Sequence, residues 1–157
     1  MEISSFQSYL IILFIVLIII SVFVFRQFLR TRKEELNLVK FEQKGLDSLT
    51  KASELYEFGS IQIKKRLYKE ATKTFLKAVE YYENEPNEAK AIIENALGFS
   101  YAAQNKFKKA INHYNSAIKS LPEYIIALNN LASAQQRLLE YELAYATYQK
   151  VLVIDPN

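Results

Sequence analysis

Along the chain the spacing of hydrophobic and polar positions changes twice. From Tyr9 to Phe25 the residues read YLIILFIVLIIISVFVF, without a charge and with polar side-chain groups only on Tyr9 and Ser21. A run of this length is just sufficient to cross a bilayer as a helix. From Glu34 to Ser48 the apolar points thin out, with Leu36, Val39 and Leu46 followed by Leu49, and their period predicts a helical stalk. Beyond Ala52 a third pattern begins, again helical in period, and it duplicates.

The duplication has a fixed register. Leu97, Gly98, Tyr101, Ala110, Tyr114, Ala117 and Pro122 are met 34 residues later by Leu131, Ala132, Gln135, Ala144, Tyr148, Val151 and Pro156. Shifting back by 39 residues instead finds Phe58, Gly59, Gln62, Ala71, Phe75 and Ala78, so an earlier copy precedes an insertion around residues 83–87, where Pro86 marks a break. Small residues at Gly59, Gly98 and Ala132, and at Ala71, Ala110 and Ala144, let two helices of one pair approach closely. Phe75, Tyr114 and Tyr148 are expected to fill the space between pairs, and Tyr68, Phe107 and Tyr141 to open the second helix of each.

This spacing resembles the tetratricopeptide repeat (TPR) signature, Trp-x2-Leu-Gly-x2-Tyr, then Ala-x3-Phe, then Ala and Pro. The resemblance covers Ala52 to Asn157; the middle copy matches best, and the Trp place holds Leu55, Glu94 and Leu128. The expected fold is therefore all-α: a transmembrane helix followed by a three-repeat helix-turn-helix solenoid. The chain divides accordingly into three segments, with residues 1–33 an anchor with a basic flank, 34–51 a stalk, and 52–157 the repeats, at about 52–90, 91–124 and 125–157.

Charge sets the expected orientation of the anchor. Arg26, Arg30, Arg32 and Lys33 follow the apolar run, whereas Glu2 alone precedes it, so the positive-inside rule keeps the repeats on the cytosolic or stromal side. With about −0.3 to −0.6 kcal/mol for each central Leu, Ile, Phe or Val, the run favours insertion by roughly 5 to 9 kcal/mol. MEISSFQS before it and RQFLRTRK after it lack the basic n-region and small-residue cleavage site of a signal peptide, which predicts an uncleaved single span.

Composition narrows the chemistry. There is no cysteine and one histidine, His113, expected to be an exposed helix residue; the three glycines form no phosphate loop. No catalytic, metal or cofactor site is expected. A net charge of +3 with both signs interleaved gives no nucleic-acid footprint. Lys69, Lys73 and Lys77, at i, i+4 and i+8, form a stripe read as a solvated face or a contact for anionic lipid or an acidic partner.

The TPR resemblance implies that partner proteins bind in a groove lined by the first helix of each repeat. By alignment its residues are Tyr56, Ser60, Ile63, Asn95, Phe99, Ala102, Asn129, Asn130, Ser133 and Gln136. Asn95 and Asn129 hold the same place in adjacent repeats and are expected to grip a peptide main chain, since an amide donates and accepts at once. The basic clamp for chaperone carboxylates is missing, its places holding Tyr56, Ser60, Asn95, Ile126 and Asn130.

The layout also resembles the small TPR proteins of cyanobacteria and plastids that assist photosystem I assembly, and abundant Lys, Asn, Ile, Phe and Tyr suit an AT-rich plastid gene. That resemblance implies photosystem I subunits or other assembly factors as partners at a thylakoid membrane, with no cofactor. Two alternatives stay open: a receptor for targeting or secretion signals, for which Ile92, Phe99 and Ile126 speak, and a self-associating scaffold. Because no polar helix follows the third repeat in the sequence, the last pair is expected to pack on a partner, the stalk or another copy.

Overall fold

The structure, a computed structural model, describes residues 5–156. Glu2 and Asn157, on which the expected orientation and the last repeat partly rest, lie outside the described residues. Among the described residues there are seven α-helices and no strand: α1 (Ser5–Lys44), α2 (Ala52–Lys64), α3 (Tyr68–Glu80), α4 (Asn87–Ala102), α5 (Phe107–Ser120), α6 (Ile125–Arg137) and α7 (Tyr141–Ile154). The chain divides into two compact units after Lys40.

In the first unit α1 runs unbroken through the apolar run and the basic flank, with its large apolar side chains from Tyr9 to Phe25 exposed. A helix exposed on every side is not the core helix of a soluble domain. It is long and apolar enough to cross a membrane. The last turn of α1 belongs to the second unit, where Phe41 is buried and stacks on Phe58 at 5.3 Å. Gly45, at φ +75°, then turns the chain into one turn of 3-10 helix, Leu46–Ser48.

The second unit is a solenoid of three helix pairs, α2/α3, α4/α5 and α6/α7, each packed on the next. Each pair closes on the small residues read from the repeat. A Cβ on Gly98 would sit 2.6 Å from the Tyr114 ring, and one on Gly59 2.7 Å from the Phe75 ring. One continuous cluster joins Ala71, Phe75, Leu97, Tyr101, Ala110, Tyr114, Leu131 and Ala134.

The turn within each pair has the same backbone. Leu67, Lys106 and Glu140 donate their amides to the carbonyls of Gln62, Tyr101 and Gln135, while Arg66, Asn105 and Leu139 donate to those of Ile63, Ala102 and Gln136. This is a Schellman closure, and its left-handed residue is never glycine here: Arg66, Asn105 and Leu139 stand at φ 60°, 59° and 63°. The segment between α3 and α4, which contains the insertion, carries Tyr81 and Tyr82 and ends at Pro86, the N-cap of α4.

Two expectations are corrected by the packing. Tyr148 does not fill a space between pairs; it remains 36% exposed, because among the described residues no helix follows α7. Lys77 is not part of a free basic stripe: its Nζ donates to the Leu46 carbonyl at 2.8 Å and lies 3.6 Å from Asp47, tying the entering chain to α3, while Lys69 and Lys73 stay exposed.

Candidate partner-binding groove

Helices α2, α4 and α6 succeed one another along one face of the solenoid, with α2 touching α4 and α4 touching α6. The ten aligned groove residues fall into two groups there. Tyr56, Ile63 and Ala102 are half-buried and pack against the core cluster, Tyr56 tilted on Phe75 at 6.1 Å, so they form the floor. Phe99, Asn129, Ser133 and Gln136 are exposed, and Ser60, Asn95 and Asn130 lie between.

Asn95 does not stand free beside Asn129. Its Oδ1 accepts from Asn130 Nδ2 at 2.9 Å, and its side chain also bonds the Tyr124 hydroxyl. Burial, and then the neighbouring Tyr56 hydroxyl, push the Tyr124 phenol above its ordinary range, partly opposed by the Asn95 bond. Tyr124 therefore stays neutral, and α4 and α6 are bridged by a polar rung of Tyr124, Asn95 and Asn130, with the Tyr56 hydroxyl beside it. Tyr124 was not among the aligned residues because it lies in the turn before α6, outside the helical register; its place after Pro122 was the only signal.

Exposed apolar side chains flank the rung. Phe99, 41% exposed, meets Tyr68 edge-on at 6.4 Å, and Ile126 is 57% exposed. Beside it a cavity of about 150 Å³, lined by Ala52, Ser53, Tyr56, Ala89 and Ile92 among others, opens between α2 and α4. It is too small for a drug-sized ligand and has room for a side chain of a docked segment.

A second cluster lies at the Trp place of the middle repeat. Glu94 is buried; its Oε1 accepts from the Tyr82 hydroxyl at 2.7 Å, and its Oε2 lies 2.8 Å from His113 Nδ1. His113 also stacks on Tyr101 at 5.3 Å. The expectation of an exposed His113 is thus corrected: a carboxylate 19 residues away, on the partner helix, holds it inward. Burial and Glu94 together raise the Tyr82 phenol to about 12. With both oxygens bonded, Glu94 ties the Tyr82 hydroxyl and the His113 ring to α4.

The chain resembles known proteins both in sequence and in fold. Models of the tetratricopeptide repeat match residues 52–85 and 125–157, and a further TPR model matches residues 98–138. The chloroplastic tetratricopeptide repeat domain-containing protein PYG7 of Arabidopsis thaliana is 31% identical over 99% of this chain, which spans only 52% of that protein. The ycf37 protein of Cyanophora paradoxa is 31% identical over 97% of this chain and 88% of its own length, and that of Pyropia yezoensis 30% identical over 95% and 86%. Among solved structures, YrrB, described as a TPR protein with an unusual peptide-binding site, superposes with a TM-score of 0.66 at 20% identity over 87% of this chain and 66% of its own. The second TPR domain of Spaghetti (RPAP3), bound to an HSP90 peptide, gives 0.62 at 16% identity, covering 71% of this chain and 99% of that one. At such identities the two structures speak for the fold alone.

Proposed function

Because the chain belongs to the ycf37 family of tetratricopeptide-repeat proteins, we propose that it is a membrane-anchored scaffold that holds a segment of a partner protein in its groove and assists the assembly of a membrane complex such as photosystem I. The observation that carries the reading is the composition of the groove: an amide and hydroxyl rung of Tyr124, Asn95 and Asn130, with the Tyr56 hydroxyl beside it, flanked by exposed Phe99 and Ile126. Amides offer a peptide main chain both a donor and an acceptor, and Phe99 and Ile126 offer apolar anchors. The exposed apolar helix α1 supports a single span, and the plastid relatives support a thylakoid site. Tethering raises the effective concentration of the groove near membrane-embedded clients.

Exposed Phe99 and Ile126 also favour a second reading, a receptor for an apolar helical signal. Affinity purification of tagged full-length protein from native membranes in mild detergent, beside a Phe99→Lys/Asn129→Ala variant, separates the two. Both side chains are exposed, so the variant keeps the fold. Photosystem I subunits or assembly intermediates recovered with wild type and lost with the variant support the assembly reading. Recovery of translocation components favours the receptor, and recovery of the protein alone favours a self-associating scaffold.

A further inference from the structure

The helices of the solenoid alternate in direction, so its loops fall on two opposite edges. The turns within a pair, α2 to α3, α4 to α5 and α6 to α7, lie on one edge; the loops between pairs, α3 to α4 and α5 to α6, lie on the other, together with the segment that enters α2. The two edges carry opposite charge. Residues 64–69 bring Lys64, Lys65, Arg66 and Lys69 to the first edge, residues 104–109 bring Lys106, Lys108 and Lys109, and neither stretch contains an acid. Residues 80–88 bring Glu80, Glu83, Glu85 and Glu88 to the second edge without a cation. All of these side chains are exposed except Glu85, which is half-buried. Helices of 13 residues set the edges about 20 Å apart, roughly two screening lengths at about 0.1 M salt, so one edge does not neutralise the other.

The neighbouring charges leave this contrast in place. On the acidic edge the entering segment is internally balanced, with Lys44 3.8 Å from Glu54 and Lys77 3.6 Å from Asp47, and Lys90 lies over the Tyr82 ring at 6.0 Å. Lys51 and Lys119 also stand on that edge, outside the 80–88 loop. On the basic edge Lys106 donates to Gln104 at 2.9 Å and Lys109 lies over the Tyr101 ring at 5.6 Å, contacts that steady the ammonium groups without cancelling their charge. Glu70 follows Lys69, and the third turn has no excess of cations, since Glu140 and Glu142 follow Arg137. The basic surface is therefore confined to the turns of the first two pairs. Glu83 and Glu85 of the acidic loop fall in the insertion, which the repeat register does not require.

We propose that copies of this chain associate side by side, the 80–88 loop of one docking on the basic turns, 64–69 and 104–109, of the next. The order of the helices supplies the register. Along the solenoid the α3–α4 loop falls between the α2–α3 and α4–α5 turns, so a copy laid alongside in the same direction brings its acidic loop opposite the gap between two basic turns. In that register its α5–α6 loop, with exposed Pro122 and Glu123, comes opposite a shallow cavity of about 440 Å³ lined by Lys106, Phe107, Lys108, Lys109 and Leu138 among others. Unlike edges attract and like edges repel, which fixes the direction of the second copy. The contact is heterologous and leads to rows rather than a closed dimer. Chains inserted in one membrane with one orientation meet this requirement at a raised effective concentration. The inference is independent of the groove reading, since none of the edge residues is a groove residue.

The test uses full-length protein inserted in phosphatidylcholine vesicles, whose neutral surface does not compete for the basic edge. The chain contains no cysteine, so Asn84→Cys in the acidic loop and Asn105→Cys in a basic turn, both at exposed positions, are made in separately tagged chains and oxidised together. Position 105 stands at φ 59°, a conformation that Arg66 and Leu139 adopt with side chains of their own. The expected result is a disulfide between the two variants in excess over the 84–84 and 105–105 products. Its yield should fall about tenfold as salt rises from about 0.01 M to about 1 M, which shortens the screening length from about 30 to about 3 Å. Glu80→Lys/Glu83→Lys/Glu88→Lys in the first chain, or Arg66→Glu/Lys69→Glu/Lys108→Glu in the second, should each remove the product, and both together should restore it, with circular dichroism confirming unchanged helix content. The proposal is overturned if the chains of native charge give no excess of the mixed product, which would leave the basic edge to some other acidic partner. It is equally overturned if the product survives either charge reversal or high salt, if the double reversal does not restore it, or if the 84–84 or 105–105 product predominates.

Discussion

At the scale of single residues, the repeat is held by atoms that are missing. Gly98 and Gly59 face aromatic rings so closely that a methyl group cannot enter without moving them, and beside Gly98 the Ala110 carbonyl is also only 3.2 Å from an added Cβ. Gly98→Ala and Gly59→Ala are expected to destabilise the solenoid by about 1–3 kcal/mol each through overpacking, read from the unfolding midpoint of the full chain in mild detergent followed by circular dichroism. An unchanged midpoint would show that the rings yield freely. These places were legible in the sequence because the signature repeats them at fixed offsets. The left-handed residues were not, since Arg66, Asn105 and Leu139 lack the glycine that ordinarily announces such a turn. A side chain in that conformation costs roughly 1–2 kcal/mol, part of which glycine returns as chain entropy. Leu139→Gly, at a position 70% exposed, is therefore expected to stabilise the protein by up to about 1 kcal/mol; a lower unfolding midpoint would mean that Leu139 makes a contact worth more than its strain.

At the scale of helix pairs, the middle repeat differs from its neighbours as a set. The first and third repeats place leucine at the Trp position, Leu55 and Leu128, and join their helices by a hydrogen bond between threonine and glutamine, Thr74 to Gln62 at 2.8 Å and Thr147 to Gln135 at 2.9 Å. The middle repeat has Glu94, His113 and Tyr101 at those three places, and replaces the hydrogen bond with a ring stack and a buried acid clamp. Glu94→Leu alone strands the Tyr82 hydroxyl and His113, at a cost of about 1–3 kcal/mol. Combining it with Tyr101→Gln and His113→Thr installs the set of the other repeats and is expected to recover most of that loss. Additive losses, measured against the single variants, would sink the idea that the three side chains act as a unit. The clamp also has an alkaline signature. The Tyr82 phenol is raised from 10 to about 12, so the stability tied to its neutral form is complete below pH 10 and lost as pH climbs towards 12. Tyr114 and Tyr124 are shifted in the same direction, and Tyr82→Phe is expected to reduce the alkaline loss without abolishing it. Sequence periodicity had located all three positions on their helices, but it treats each helix by itself. It carries no information on which polar groups meet across a pair, and for that reason His113 read as exposed and Asn95 as free.

At the scale of the whole molecule, a magnitude decides how robust the proposed anchor is. The apolar run favours insertion by roughly 5 to 9 kcal/mol, and an arginine at the centre of a span costs about 2.5–3.5 kcal/mol. One central charge therefore leaves a favourable balance, whereas two bring it close to zero. Leu17→Arg is expected to remain with the membrane through alkaline carbonate extraction, and Ile15→Arg/Leu17→Arg to be released in large part. Loss of the single variant would mean that the run is a weaker anchor than its composition implies, and retention of the double variant would mean that something other than α1 holds the protein. Orientation rests on a separate feature, the Arg26, Arg30, Arg32 and Lys33 flank, in which Arg30 pairs with Glu34 at 3.7 Å. Protease added from the cytosolic or stromal side of sealed membranes is expected to degrade the repeats, while protease confined to the other side leaves them intact. Replacing Arg26, Arg30, Arg32 and Lys33 with glutamine removes the charge bias but leaves the apolar run, so the variant should keep its resistance to extraction while its population splits between the two protease patterns. A variant that kept one orientation would show that folding of the repeat unit, rather than the basic flank, fixes the side on which the groove is presented.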